Sequence, residues 1–220
     1  MSRLEGFSDT AFGFAITLLV VSLAVPNHFD ELIQQLRGLP VFAVTFALVS
    51  VIWYAQFVFF RRYALSDPLT VVLTLLLLFV VLFYVYPLKF LFGVVFAVGG
   101  ATLQQSDAPL LFLIYGLGFA GVNLTLALLY LHAYQKRGDL KLNEYERYVT
   151  RLSIVDNLAT ASIGLVSAGL AQVVPAPYSG SIPGFVYFAV AVPRFVSGML
   201  GGRRARELAH RSSEPAKTVP

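Results

Sequence analysis

The chain has 220 residues, of which 57% are hydrophobic and 13% charged, with a formal net charge of +4 and no cysteine; its mean hydropathy is +0.74. A soluble domain carries about a quarter charged residues, so the composition indicates an integral membrane protein. The absence of cysteine excludes a disulfide framework, a thiolate metal site and a cysteine nucleophile.

Six apolar runs compare with the roughly 20 residues that a helix needs to cross about 30 Å of hydrocarbon. They are Thr10–Val25, stopped by Pro26, Leu39–Phe60, stopped at Arg61 and Arg62, and Leu69–Tyr86, before Pro87; then come Pro109–Leu131, Leu152–Val174 and Ile182–Leu200. The stretch Phe90–Gly100 is apolar but short, and reads as an extension of the third helix beyond a Pro87 kink or as a re-entrant piece. The longest polar connection, Gln135–Thr150, mixes both charge signs with Tyr145 and Tyr148 and reads as a helical extension or a solvated loop. From Ser212 onward the composition is that of a disordered tail. The preceding GGRRAR serves as a topology signal or as an anchor to anionic lipid. The predicted fold class is all-α, a polytopic membrane protein with six transmembrane helices and cytosolic N- and C-termini. Residues 1–202 form the membrane domain and 203–220 a basic, disordered cytosolic tail.

The orientation rests on Lys and Arg. With the N-terminus inside, thirteen of the sixteen fall in cytosolic segments, Arg37 and Lys89 fall outside, and Arg194 lies within the sixth span. The basic pI of about 9.4 therefore reads as contact with anionic inner-leaflet lipid and requires no nucleic acid. A cleavable signal peptide is the competing reading of the first run, with Ser22-Leu23-Ala24 as a loose cleavage site; Glu5 and Asp9 spoil its positive head.

Polar groups stand at the mouth of that first run, in the cluster Arg3-x-x-x-Phe7-Ser8-Asp9. An ionisable group at the edge of hydrocarbon costs free energy unless paired or solvated, which makes it a functional candidate. The plainer reading is that Ser8 or Asp9 caps a helix starting at Thr10, although this leaves Arg3 and Phe7 unused. Beyond the cluster, helical spacing puts Phe14, Leu18, Val21 and Val25 on one stripe with Thr10 and Thr17 beside it. Such a stripe serves ordinary helix packing or lipid contact in most membrane helices. Repeated around a symmetry axis, it would make apolar rings that gate by dewetting.

Arg3 to Asp9 at the head of span one, followed by Ile16-Thr17-Leu18-Leu19, resembles the prokaryotic branch of the transmembrane protein 175 family of potassium channels. The resemblance implies a six-helix subunit that assembles as a homotetramer in the prokaryotic cytoplasmic membrane, around a pore lined by the first helix. It implies permeant potassium ions and no cofactor; His28, His132 and His210 are too far apart for a metal site, and no Gly-rich phosphate loop, His-Glu-x-x-His or His-Asp pair points to an enzyme. The family's narrowest ring falls five residues after the motif aspartate and is usually isoleucine; here Phe14 stands there. Leu18 and Val21 match further apolar layers, and Thr17 matches a hydroxyl position that resembles the selectivity determinant. No Thr-Val-Gly-Tyr-Gly loop occurs, so a carbonyl-cage filter is absent and selectivity over sodium should be modest. Arg3, Phe7, Ser8, Asp9 and Trp53 are implied to tie the cytosolic helix ends together. Gln56 occupies the slot where relatives carry histidine, and glutamine does not titrate near neutral pH.

Depth arithmetic adds a pair. Asp156 in span five and Arg194 in span six both lie roughly 6–9 Å inside the cytosolic boundary at 1.5 Å per residue, which predicts an ion pair with Asn157 as a further partner. The alternative for Arg194 is snorkelling to the interface. Other function classes fit less well. A secondary transporter would use the breaks permitted by Gly93, Gly99, Gly100, Gly116, Gly118, Pro183 and Pro193, but the chain lacks inverted-repeat symmetry and midplane acids. An enzyme would need clustered His, Asp, Ser or metal ligands. A structural protein without transport would show no flux.

Overall fold

The structure is a computed structural model describing residues 2–21, 27–98, 101–175, 178 and 181–213, without the side chains at 21, 34 and 205–213. Its elements are α1 (Arg3–Val21), α2 (Phe29–Arg37), α3 (Leu39–Tyr63), α4 (Pro68–Val95), α5 (Ala108–Gln135), α6 (Glu144–Val173), α7 (Ile182–Phe185), a 3-10 turn (Val186–Val190) and α8 (Ala191–Ser213). Among the described residues, five stretches are long and apolar enough to cross a membrane: α3, α4, α5, α6 and the segment Ile182–Arg204. The described part of α1 is not among them; it runs 19 residues with Arg3, Glu5 and Asp9 in its first half. Val25 and the end of the predicted first span lie outside the described residues.

Local chemistry accounts for several boundaries. Ser2 and Glu5 exchange hydrogen bonds across the first turn of α1, Ser2 Oγ accepting from Glu5 N at 3.1 Å and Glu5 Oε2 from Ser2 N at 3.2 Å. This capping box starts α1 seven residues before Thr10, so Ser8 and Asp9 lie inside the helix and cap nothing. Asn143 and Glu146 repeat the device at the head of α6, which resolves the connection before Thr150 into a short loop and an early helix start. The helix α4 continues through Pro87 to Val95, so the apolar stretch after Pro87 begins as an extension of the third span. Proline has no N–H to donate in the α4 ladder; one turn later Leu91 N–H donates to the Tyr115 hydroxyl at 3.3 Å. The last span is α7, the 3-10 turn and α8 in series, and helix persists to Ser213. The tail drawn from residue 203 therefore opens as helix, and 214–220 lie outside the described residues.

Lipid is as apolar as leucine, so packing and hydrogen bonds, not water exclusion, hold such helices together. Among the described residues the most extensive helix contact is between α5 and α6, where Gly116 and Gly164 face one another. A Cβ on Gly164 would stand 2.8 Å from the Gly116 carbonyl oxygen, and one on Gly116 would stand 2.6 Å from Ala168 Cβ. A second core joins α1, α3, α4 and α5 through Phe12, Leu19, Val49, Phe59, Leu77 and Leu129. At its end the Tyr63 hydroxyl bonds Thr150 on α6 at 2.7 Å.

Candidate functional site

The head of α1 is tied to α3 by two adjacent side chains. Ser8, 1% exposed, donates its hydroxyl to Gln56 Oε1 at 2.5 Å. Asp9 Oδ1 accepts from the Trp53 indole N–H at 2.8 Å. Gln56 and Trp53 are one turn apart on α3, so neighbours on one helix meet a single face of the other. The Trp53 ring stacks on Phe57 with centroids 5.7 Å apart. Gln56 Nε2 is buried with no partner among the described residues. Arg3 and Phe7 point elsewhere: both are exposed, and no ion pair joins Arg3 to the described residues.

Below this lock α1 divides into two faces. Ser8, Phe12, Ala15 and Leu19 are buried against the rest of the subunit. Arg3, Phe7, Thr10, Gly13, Phe14, Thr17 and Leu18 are left uncovered, with Phe14 at 64% and Leu18 at 42% exposure. The hydroxyls of Thr10 and Thr17 donate back to the carbonyls of Gly6 and Gly13, each at 2.8 Å. That satisfies the proton and leaves oxygen lone pairs directed outward. Val21 closes the helix; its side chain is outside the described set.

Asp156 is buried and pairs with Arg194 Nη1 at 2.8 Å. The additional partner is Ser197, whose hydroxyl reaches Asp156 Oδ1 at 3.2 Å. Asn157 is not that partner: one residue further on, it sits about 100° around the helix, and its amide donates to the Ser153 carbonyl at 2.8 Å.

A cluster that sequence reasoning missed joins the head of α4 to the end of α5. Asp67 accepts from Thr70 at 2.7 Å, meets His132 Nε2 at 2.8 Å and lies 3.4 Å from Lys136 Nζ. Burial pushes the Asp67 carboxyl up, but the bonds from Thr70 and His132 and the charges of His132 and Lys136 outweigh it and hold the group at about 2. Only the Asp67–Thr70 spacing could have hinted at this, as a helix start; His132 is 65 residues away.

Comparison with known proteins decides the family. The family described as endosomal/lysosomal potassium channel TMEM175 matches residues 3–84. A potassium channel from Marivirga tractuosa is 37% identical over 222 residues, spanning 94% of this chain and 90% of its own. The chain belongs to the TMEM175 family of potassium channels. A crystal structure of the potassium channel MtTMEM175, a single-residue variant in complex with a nanobody–MBP fusion protein, superposes with a TM-score of 0.80 at 35% identity over 92% of this chain and 94% of that one. A homologue, from Chamaesiphon minutus, of the lysosomal potassium-selective channel TMEM175 shares the fold with a TM-score of 0.56 at 22% identity, over 92% and 96% of the two chains. The residues matched to TMEM175 include both halves of the Ser8–Gln56 and Asp9–Trp53 pairs.

Proposed function

We propose that four copies of this chain assemble in a prokaryotic cytoplasmic membrane, termini inside, as a potassium-permeable channel with modest selectivity over sodium. The conduction path runs along α1. The observation that carries this reading is the uncovered face of α1. Elsewhere the exposed surfaces suit lipid: along α4 they present Leu75, Leu76, Phe79 and Phe83. The bare face of α1 instead mixes Phe14 and Leu18 with Thr10, Gly13, Thr17 and Arg3, hydroxyl and cationic groups that fit a wet axis better than acyl chains.

Around a fourfold axis Phe14, Leu18 and Val21 make stacked apolar rings, and a narrow apolar ring closes by dewetting because it offers an ion nothing in exchange for its water shell. Thr17 supplies hydroxyl oxygens between these layers and gives the weak preference for potassium. The bonds of Ser8 to Gln56 and of Asp9 to Trp53 fix the inner end of α1, so the rings keep their register, while Arg3 and Phe7 stand on its uncovered face. Currents from purified protein in planar bilayers, with potassium on one side and sodium on the other, test this. Discrete openings with a reversal potential shifted toward potassium, and larger currents in Phe14→Ala or Leu18→Ala, are expected. Flux without discrete events, unchanged by either substitution, would replace the channel with a carrier.

A further inference from the structure

The end of α3 holds two cations that no carboxylate among the described residues neutralises. Arg194, Lys136 and Arg204 are paired with Asp156, Asp67 and Glu144 respectively. Arg61 and Arg62 are both exposed and belong to no ion pair among the described residues. They close one end of an open groove of about 320 Å³ whose remaining wall is Tyr54, Phe57 and Val58. The spacing of these residues places all five along one side of α3.

We propose that this groove binds an anionic phospholipid, with its phosphate on Arg61 and Arg62 and an acyl chain along Val58, Phe57 and Tyr54. The dimensions agree: the seven helical steps from Tyr54 to Arg61 span about 10 Å at 1.5 Å per residue, the depth from a headgroup into the upper acyl chain. The chemistry agrees as well. Guanidinium forks match phosphate oxygens in bidentate fashion, and a membrane-crossing helix that ends in two adjacent arginines sets them at headgroup level. A zwitterionic lipid brings its own ammonium to this pair and loses the net attraction. Placement in the inner leaflet rests on the orientation proposed above; the binding itself does not.

The chain carries one tryptophan, Trp53, stacked on the groove residue Phe57, so the intact protein reports on its own site. The experiment reconstitutes the full chain in phosphatidylcholine vesicles in which an equal fraction of lipid is replaced by either brominated phosphatidylglycerol or brominated phosphatidylcholine, and reads quenching of Trp53. Stronger quenching by the brominated phosphatidylglycerol is expected. Arg61→Gln with Arg62→Gln should make the two lipids equal, and Arg61→Lys with Arg62→Lys should keep most of the preference. Equal quenching in the wild type, or a preference that survives the double glutamine variant, overturns the site. So does absence of quenching by either lipid, which would mean that a second copy of the chain covers the groove. Potassium flux from the same vesicles separates the two readings. Flux without lipid preference sinks the lipid site alone, and preference without flux sinks the channel alone.

Discussion

The indole N–H of Trp53 donates to the carboxylate of Asp9 across 2.8 Å and so joins α1 to α3. A hydrogen bond to a charged acceptor contributes about 1.5–3 kcal/mol. Trp53→Phe keeps the stacking on Phe57 and removes the donor, and should cost about that much stability. Asp9→Asn retains a carbonyl acceptor and should cost less. Melting of the two variants in detergent, followed by circular dichroism, checks the order; equal losses would mean the bond contributes nothing.

The Asp156–Arg194 pair is asymmetric, because Asp156 is 6% exposed and Arg194 49% at the side chain. Removing one partner of a buried pair costs about 3–5 kcal/mol when it strands the buried charge. Arg194→Gln should therefore destabilise more than Asp156→Asn, which leaves Ser197 a neutral partner and lets Arg194 extend toward water. The double variant should recover part of the loss. Additive losses in a double-mutant cycle would show that the two side chains do not interact.

Gly116→Ala should loosen the α5–α6 contact, since the new methyl meets the Gly164 carbonyl oxygen and Ala168 Cβ. Overpacking of this kind costs about 1–3 kcal/mol. Gly169→Ala, where an added Cβ meets nothing within 4 Å, is the control. If both variants melt alike, the close approach is not what holds these helices.

Asp67 gives the fold an acid-sensitive element. Its folded value of about 2 lies below the model-peptide 3.8, so the carboxylate stabilises the fold fully above the unfolded value. That contribution is lost as pH falls from about 4 toward about 2. Melting temperature should drop across this window more steeply in the wild type than in Asp67→Asn. Parallel curves would contradict the pairing with Thr70, His132 and Lys136.

The membrane-crossing helices were legible because each carries a long apolar run; α3 and α5 end within four residues of those runs, whereas α4 runs on from Tyr86 to Val95, α6 starts at Glu144 ahead of Leu152, and helix persists past Leu200 to Ser213. The helix α2 escaped although its signal was present: Phe29, Leu32, Ile33 and Leu36 recur at three and four, with Asp30 and Glu31 at its start and Arg37 at its end. It is too short and too mixed to register as a span. Ser2-x-x-Glu5 was readable as a capping box and would have shown that Ser8 and Asp9 belong to the helix body. The meeting of Asp156 with Arg194 followed from depth alone. Ser197 in place of Asn157, and His132 on Asp67, depend on helix rotation and on contacts between distant segments, which the periodicity of one segment does not specify.

The lock between α1 and α3 also imposes an order on biogenesis. Asp9 and Ser8 precede Trp53 and Gln56 by 44 and 48 residues, so at about 5–20 residues per second the polar pair leaves the ribosome roughly 2 to 10 s before its partners exist. Both residues sit in the first two turns of α1, where they can stay hydrated at the membrane surface through that interval. Full seating of α1 must then wait for α3 to emerge, and a nascent chain arrested before Trp53 would hold its first helix shallow.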